Sequence, residues 1–265
     1  MSQDIHRGFA DADRAAPEPM IAFLEVADAV PEVQASKRRL RALLMLQAGH
    51  TVLDVGCGVG FEACRLAQAY PGVAVIGLDR ETMRGAARRR AEQLGVGVRW
   101  LPGQAEAIPL ADATVDACLT ERVLKYLPDP VAGITEMGRV LKPGGRLACF
   151  ELDYAATLLG GDPAVAGAVG ELLNASVGDA RMGRRLPGLL QAAGLREVTF
   201  EMVAFSPPWV VLEATIGDPV REAIREGRLP AAATAWLEQQ AAAAAAGLFS
   251  VAFVGFLVSG RVPDA

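Results

Sequence analysis

The chain predicts a doubly wound α/β fold built around a parallel sheet. Short β-rich runs alternate with helix-period segments of about 10–15 residues, the pattern of right-handed βαβ units. The runs are near-continuously apolar, as in TVLDV (51–55) and VAVIGLD (73–79), which suits a sheet covered on both faces. The first run empties into a glycine-rich turn, VLDVGCGVG (52–60), directly before a helical segment.

Each element follows from its own pattern. Ser36 is placed as the N-cap of SKRRLRALLMLQAG, where Leu40, Leu43, Leu44 and Gln47 share one side and Gly49 ends the helix. Strands at 51–55 and 73–79 bracket a helix at 61–70. A helix over 81–94 is stopped by Gly95, and strands follow at 98–103 and 115–120. Val131, Ile134, Met137, Gly138 and Leu141 mark one helix face. A fifth strand, 145–151, follows a Pro-Gly-Gly turn. Leu186, Leu189, Leu190 and Ala193 are in phase along a helix over 182–193, and 196–206 alternates like a strand. A helix-favouring stretch comes next, with Ala241 to Ala246 read as a packing surface, and LFSVAFVGFLVSG (248–260) is the last strand.

Composition narrows the function. With 265 residues and 52% hydrophobic content, the chain suits one domain with an added cap. A net charge of −5 disfavours nucleic acid as a partner. The clusters Lys37-Arg38-Arg39 and Arg88-Arg89-Arg90 are expected on solvated helix faces. Cys57, Cys64, Cys118 and Cys149 form no CxxC pair, and His6 and His50 stand far apart, which argues against zinc. Three of the cysteines sit in or beside apolar runs, as small hydrophobes do, and a reducing cytoplasm is expected. The opening MSQDIHRGFADADR has no signal-peptide core, and no apolar run reaches the ~18 residues of a membrane span.

The glycine turn is the chemical clue. A dinucleotide fingerprint, G-x-G-x-x-G, fails because Phe61 stands at its sixth position, and a P-loop fails for want of a lysine. Asp54 opposes a phosphate in the same turn. A cationic nucleoside removes the conflict: S-adenosylmethionine (SAM) carries an ammonium and a sulfonium. Asp79 ends the second strand, where a carboxylate can grip both ribose hydroxyls.

On these residues the chain resembles the class I SAM-dependent methyltransferases. VLDVGCGVG is similar to their first motif and VIGLDR to the second. LPGQAEAIPLADATVDACLTERVLKYLPDP and EMGRVLKPGGRLACFE resemble the later blocks. The likeness spans roughly residues 40–200, and is greatest to small-molecule enzymes of the menaquinone/ubiquinone-biosynthesis type. It implies a Rossmann-like seven-stranded sheet in the order 3-2-1-4-5-7-6, with the last strand antiparallel. It places Asp54, Gly56, Cys57, Gly58 and Gly60 at the donor's amino-acid tail, and Asp79 with Arg80 at its ribose. Gln104, Ala105 and Glu106 fall at the adenine, Thr120 and Glu121 at the methionine moiety. The family more often has Asp where Gln104 stands; the amide carbonyl can still accept the adenine N–H.

The acceptor side is less defined. Relatives often carry a histidine pair where this chain has Lys125 and Tyr126, so a histidine base is not expected. His6 is assigned to a mobile N-terminal segment and His50 to a turn. Glu121, Glu151, Asp153 and Tyr154 are the catalytic candidates, as base or polar anchor, unless they are solvent-exposed turn residues. Lys125 either draws an anionic acceptor or is a surface lysine. The acceptor walls are expected from a lid at residues 1–35 and from cap insertions at about 154–181 and 207–247. The second insertion holds Pro207, Pro208, Trp209 and Trp236. The expected activity is methyl transfer to a small, largely apolar metabolite, secondary-metabolite or quinone-like, yielding S-adenosylhomocysteine. The alternatives are a cyclase or isomerase that keeps SAM without net transfer, and a non-catalytic SAM-binding subunit. A monomer and a homodimer are both compatible with the sequence.

Overall fold

The computed structural model describes residues 5–10 and 16–264. Three helices lead in: α1 (Ile5–Ala10), α2 (Pro17–Asp28) and α3 (Pro31–Leu43). An alternating core follows: β1 (Thr51–Val55), α4 (Phe61–Ala69), β2 (Ala74–Asp79), α5 (Glu81–Leu94), β3 (Arg99–Pro102) and β4 (Val115–Glu121). A single 3-10 turn (Leu124–Tyr126) precedes α6 (Pro130–Val140) and β5 (Leu141–Leu159). The last third holds α7 (Pro163–Ser176), α8 (Met182–Ala192), β6 (Arg196–Phe205), α9 (Trp209–Arg225), α10 (Ala232–Ala245) and β7 (Val251–Arg261).

The seven strands form one sheet in the order β3-β2-β1-β4-β5-β7-β6. The first five pair in parallel, while β7 is antiparallel to both β5 and β6. This is the order that the family resemblance implies. Side chains alternate between faces with period two. Val52 and Leu119 therefore join Leu40, Leu66 and Leu152 in one core, while Leu53 and Cys118 join Ile134, Met137 and Leu186 in the other. A third, smaller cluster packs Ile5 and Met20 over Val59 and Met83, so the leading helices sit on the glycine turn.

Four local expectations need correction. The helix predicted from Ser36 begins at Pro31, whose fixed φ suits a first turn, and ends at Leu43. Ser36 lies inside it, its hydroxyl donating to the Glu32 carbonyl at 3.0 Å. The fifth strand is far longer than 145–151. Its pairing jumps from Leu141–Val115 to Arg146–Ala117, so the Pro-Gly-Gly segment survives as a bulge inside the strand. A second jump falls between Asp153–Val254 and Leu158–Ala252, and takes Tyr154 out of the ladder. The alanine tract is helical but no part of it is fully buried, half being exposed; α10 packs chiefly through Ala233, Trp236, Leu237 and Gln240. Lys37 is buried on the inner side of α3, not on a solvated face.

Among the described residues no helix is long and apolar enough to cross a membrane. None of their His, Cys, Asp and Glu side chains group to hold a metal ion.

Candidate active site

The parallel strands β1, β2 and β4 end together, and one cavity opens beyond their carboxyl ends. The glycine turn forms its floor. Gly56 has φ +74°, and a Cβ there would meet Val123 at 2.3 Å. At Gly60, φ is +79° and a Cβ would strike Trp100 at 2.8 Å. Only glycine fits both places. The amides of Gly56 and Cys57 donate to the Leu78 carbonyl at 2.8 and 3.1 Å, which binds the turn to the end of β2.

Asp79 faces this turn. Its Oδ2 accepts from the Gly58 amide at 2.6 Å and its Oδ1 from the Arg80 amide at 2.7 Å. Burial raises its pKa, and those two amides counter part of the rise. Asp54 is different. It is buried, and among the described residues its Oδ2 has no hydrogen-bond partner. Burial, then the charges of Glu62 and Glu121, push its carboxyl well above the usual range. An orphaned carboxylate opening on a cavity suits a cation. Cys57 is also buried, its thiol raised by burial and by Asp54 and Asp79, which makes it a packing group beside Gly77.

Gln104, Ala105 and Glu106 line the rim, next to Gly103, whose amide donates to the Asp79 carbonyl at 3.2 Å. Arg80 and Glu121 line the cavity as well. Gly60 serves instead as the left-handed residue that starts α4. Thr120 is buried on the opposite face of β4 and does not reach the cavity.

A buried ionic network underlies the floor. Lys37 of α3 meets Glu121 at 2.7 Å, Asp28 at 3.2 Å and Glu62 at 3.6 Å. Burial works against its charge, but the three carboxylates outweigh it and raise its pKa. Arg41 and Arg65 hold Glu62 from the other side, at 2.5 and 2.8 Å, and Arg65 also pairs with Asp28. Glu121 sits below its usual range: burial opposes its charge, but Lys37 and Arg122 prevail.

The far end of the cavity brings together residues distant in sequence. His6 of α1 hydrogen-bonds through Nδ1 to the Tyr126 hydroxyl at 2.6 Å. Its ring meets that of Tyr154 edge-on at 5.2 Å. Burial, then Lys125 and Arg122, lower its pKa to about 3, so it is a neutral imidazole at neutral pH. The expectation of a mobile histidine remote from the site is therefore corrected, because α1 folds back over the turn after β4. Residues 1–4 and 11–15 of the expected lid lie outside the described residues.

The acidic candidates separate. Glu121 and Tyr154 line the cavity; Glu151 and Asp153 do not. Strand parity puts those two on the opposite face of β5 from Leu152 and Tyr154. Asp153 is fully buried and gripped by Arg184, with Nε at 2.5 Å and Nη2 at 2.7 Å. Glu151 pairs with Lys125 at 3.2 Å. Lys125 is buried rather than superficial, its pKa lowered to about 8 by burial against the pull of Glu151. The cap also differs from expectation. Pro207, Val211 and Thr215 line the cavity, whereas Trp236 turns away and donates to the Gly160 carbonyl at 2.9 Å. Of the stretch 154–181, Tyr154 alone among its described residues lines the cavity.

The family model described as "Methyltransferase domain" matches residues 53–149, from β1 through β5's first half. Over residues 53–149 the chain is therefore similar to methyltransferase domains. A curated demethylmenaquinone methyltransferase from Thermus thermophilus is 36% identical over 116 residues, 43% of this chain and 53% of that protein. The chain spans about half or less of the length of the curated relatives it matches first. Phosphoethanolamine N-methyltransferase 2 from Haemonchus contortus, solved with phosphomonomethylethanolamine and S-adenosylhomocysteine, aligns over 98% of this chain and 60% of its own. That alignment has a TM-score of 0.64 at 14% identity. The [4+2]-cyclase SpnF aligns over 86% of this chain and 80% of its own, with a TM-score of 0.55 at 22% identity. At such identities the likeness is one of fold, extending over the sheet and its flanking helices.

Proposed function

We propose that the chain is a SAM-dependent methyltransferase acting on a small, largely apolar metabolite, secondary-metabolite or quinone-like. The observation that carries this reading is Asp54: a buried carboxyl group with one oxygen unpartnered among the described residues, lining a cavity floored by the glycine turn. The residues present fit the donor. Asp54 takes the ammonium, and Asp79 the ribose hydroxyls. The Gln104–Glu106 rim receives the adenine, with Gly56, Gly58 and Glu121 around the methionine portion. When bound, SAM supplies a methyl group activated by its sulfonium.

The chain's own part is to align the acceptor and exclude water. Helices α1 to α3 form the lid, and Pro207, Val211 and Thr215 the facing wall. Apolar side chains of Phe9, Phe23, Phe205 and Phe253 line the acceptor end, which supports a hydrophobic substrate. Net negative charge supports a metabolite rather than nucleic acid as acceptor. We place the enzyme in the cytoplasm, as a monomer or homodimer. Calorimetry with SAM and with S-adenosylhomocysteine tests the donor site: binding of both is expected, and binding of neither refutes the reading. A rival of the same fold, an isomerase that holds SAM without transferring its methyl, is separated by mass spectrometry of the product. A gain of one methyl group supports transfer; an isomer of unchanged mass supports the rival.

A further inference from the structure

Arg122 lies just past β4 on a left-handed backbone, with φ 58°, a conformation that costs a residue with a Cβ. Its surroundings hold it there. The Arg122 amide donates to the Phe150 carbonyl at 2.8 Å, and its own carbonyl accepts from Lys125 Nζ at 2.9 Å. Strain of this kind persists only where the fold enforces it, and it concentrates at ligand sites.

The enforced backbone turns the side chain into the cavity, where it is only 19% exposed. Its Nε stands 2.9 Å from Glu121. The other oxygen of that carboxylate meets Lys37 at 2.7 Å, so Arg122 uses only its Nε on Glu121 and keeps both terminal nitrogens for the cavity. Nearby Glu151 is taken by Lys125. Among the described residues no hydrogen bond uses either terminal nitrogen of Arg122, and none uses the Tyr154 hydroxyl. Tyr154 lines the same cavity, and burial keeps its phenol neutral and able to donate. Around them the walls are aromatic and aliphatic: Phe9, Phe205, Val211 and Phe253. A desolvated guanidinium with two free forks, beside a free phenol, matches an oxyanion.

We propose that Arg122, helped by the Tyr154 hydroxyl, anchors the acceptor through an acidic oxygen. The substrate class is then an apolar molecule bearing one carboxylate or one ionisable hydroxyl. This rests on the methyltransferase reading for the word acceptor, but the anchor itself is tested separately. The full chain, saturated with S-adenosylhomocysteine, is titrated by calorimetry with 4-butylbenzoate, 4-butylphenol and methyl 4-butylbenzoate. The acid or the phenol should bind about tenfold or more tightly than the ester, the scale of one charge-assisted hydrogen bond. Which of the two binds better tells carboxylate from hydroxyl. Arg122→Gln should reduce that probe to the level of the ester, and Tyr154→Phe should remove part of the preference. Equal affinity of all three probes for the unmodified protein overturns the proposal, whatever the variants do. Failure of S-adenosylhomocysteine to bind overturns the donor reading instead; the same three probes, titrated without it, still decide the anchor.

Discussion

The two ends of the cavity are built in opposite ways. At the donor end, Asp54, the glycines and Asp79 come from two adjacent strand ends and the turn between β1 and α4. At the acceptor end, His6 meets Tyr126 across 120 residues, and Tyr154 and Phe205 arrive from two further segments. The turn and both aspartates of the donor end are thus set by local sequence, although the carboxylates beside them are balanced from α3. The acceptor end exists only once distant segments have folded together, its polar groups held by the His6–Tyr126 hydrogen bond and the Lys125–Glu151 ion pair rather than by a turn.

Substitutions sharpen this contrast, beginning where the effect is largest. Replacing Lys125 by Met leaves Glu151 buried without its counter-charge, and should destabilise the fold by about 3–5 kcal/mol in urea unfolding. Adding Glu151→Leu should restore most of it. If Lys125→Met alone is neutral, the acceptor end does not depend on buried pairing. At the donor end, Asp79→Ala should weaken S-adenosylhomocysteine binding about a hundredfold by calorimetry, from two lost hydrogen bonds to a charged group.

Asp54→Asn should part affinity from stability. Donor affinity should fall about tenfold. The ligand-free protein should melt higher, because a buried and unpartnered charge is gone. The folded-state pKa of Asp54 is raised, so its cost to folding is absent below about pH 4 and grows as pH rises. The gain in melting temperature should therefore be present at pH 8 and vanish near pH 4. The smallest effect belongs to His6. Its folded pKa of about 3 lies below the free value of 6.5, so the unfolded chain takes up a proton first as pH falls. Stability should drop by about 1 kcal/mol between pH 6.5 and 5.5 from this group alone. His6→Phe should flatten that slope; an unchanged slope would show that His6 titrates as it does in water.

The same contrast explains what could be read from the sequence. The core strands, the glycine turn and both aspartates were legible because their signals are contiguous: an apolar run, a turn, a helix, and a fixed spacing to the next strand end; the strand order followed from the family resemblance. For charged residues, helical or strand phase outranks the composition of the run. Lys37 belongs to a basic run, yet it shares its helical phase with Val33, Leu40 and Leu44, all buried. Asp153 follows the same logic in a strand, since its parity with Glu151 already set it on the face away from Tyr154. Ile5 and Phe9, four residues apart, were the only hint that the segment carrying His6 packs down. No local pattern could pair His6 with Tyr126, because that contact depends on where α1 settles.

The ion pairs of Lys37 and Arg41 give the first forty-odd residues a second duty. They come from α3, yet they neutralise Glu62 and Glu121, which stand beside Asp54 under the donor. The leading helices are therefore the counterion of the donor floor as well as a cover for the acceptor. Such a segment is not an interchangeable specificity module. Trimming it, or grafting a relative's in its place, would set three carboxylates against one another beneath the glycine turn, and would reset donor affinity along with substrate choice.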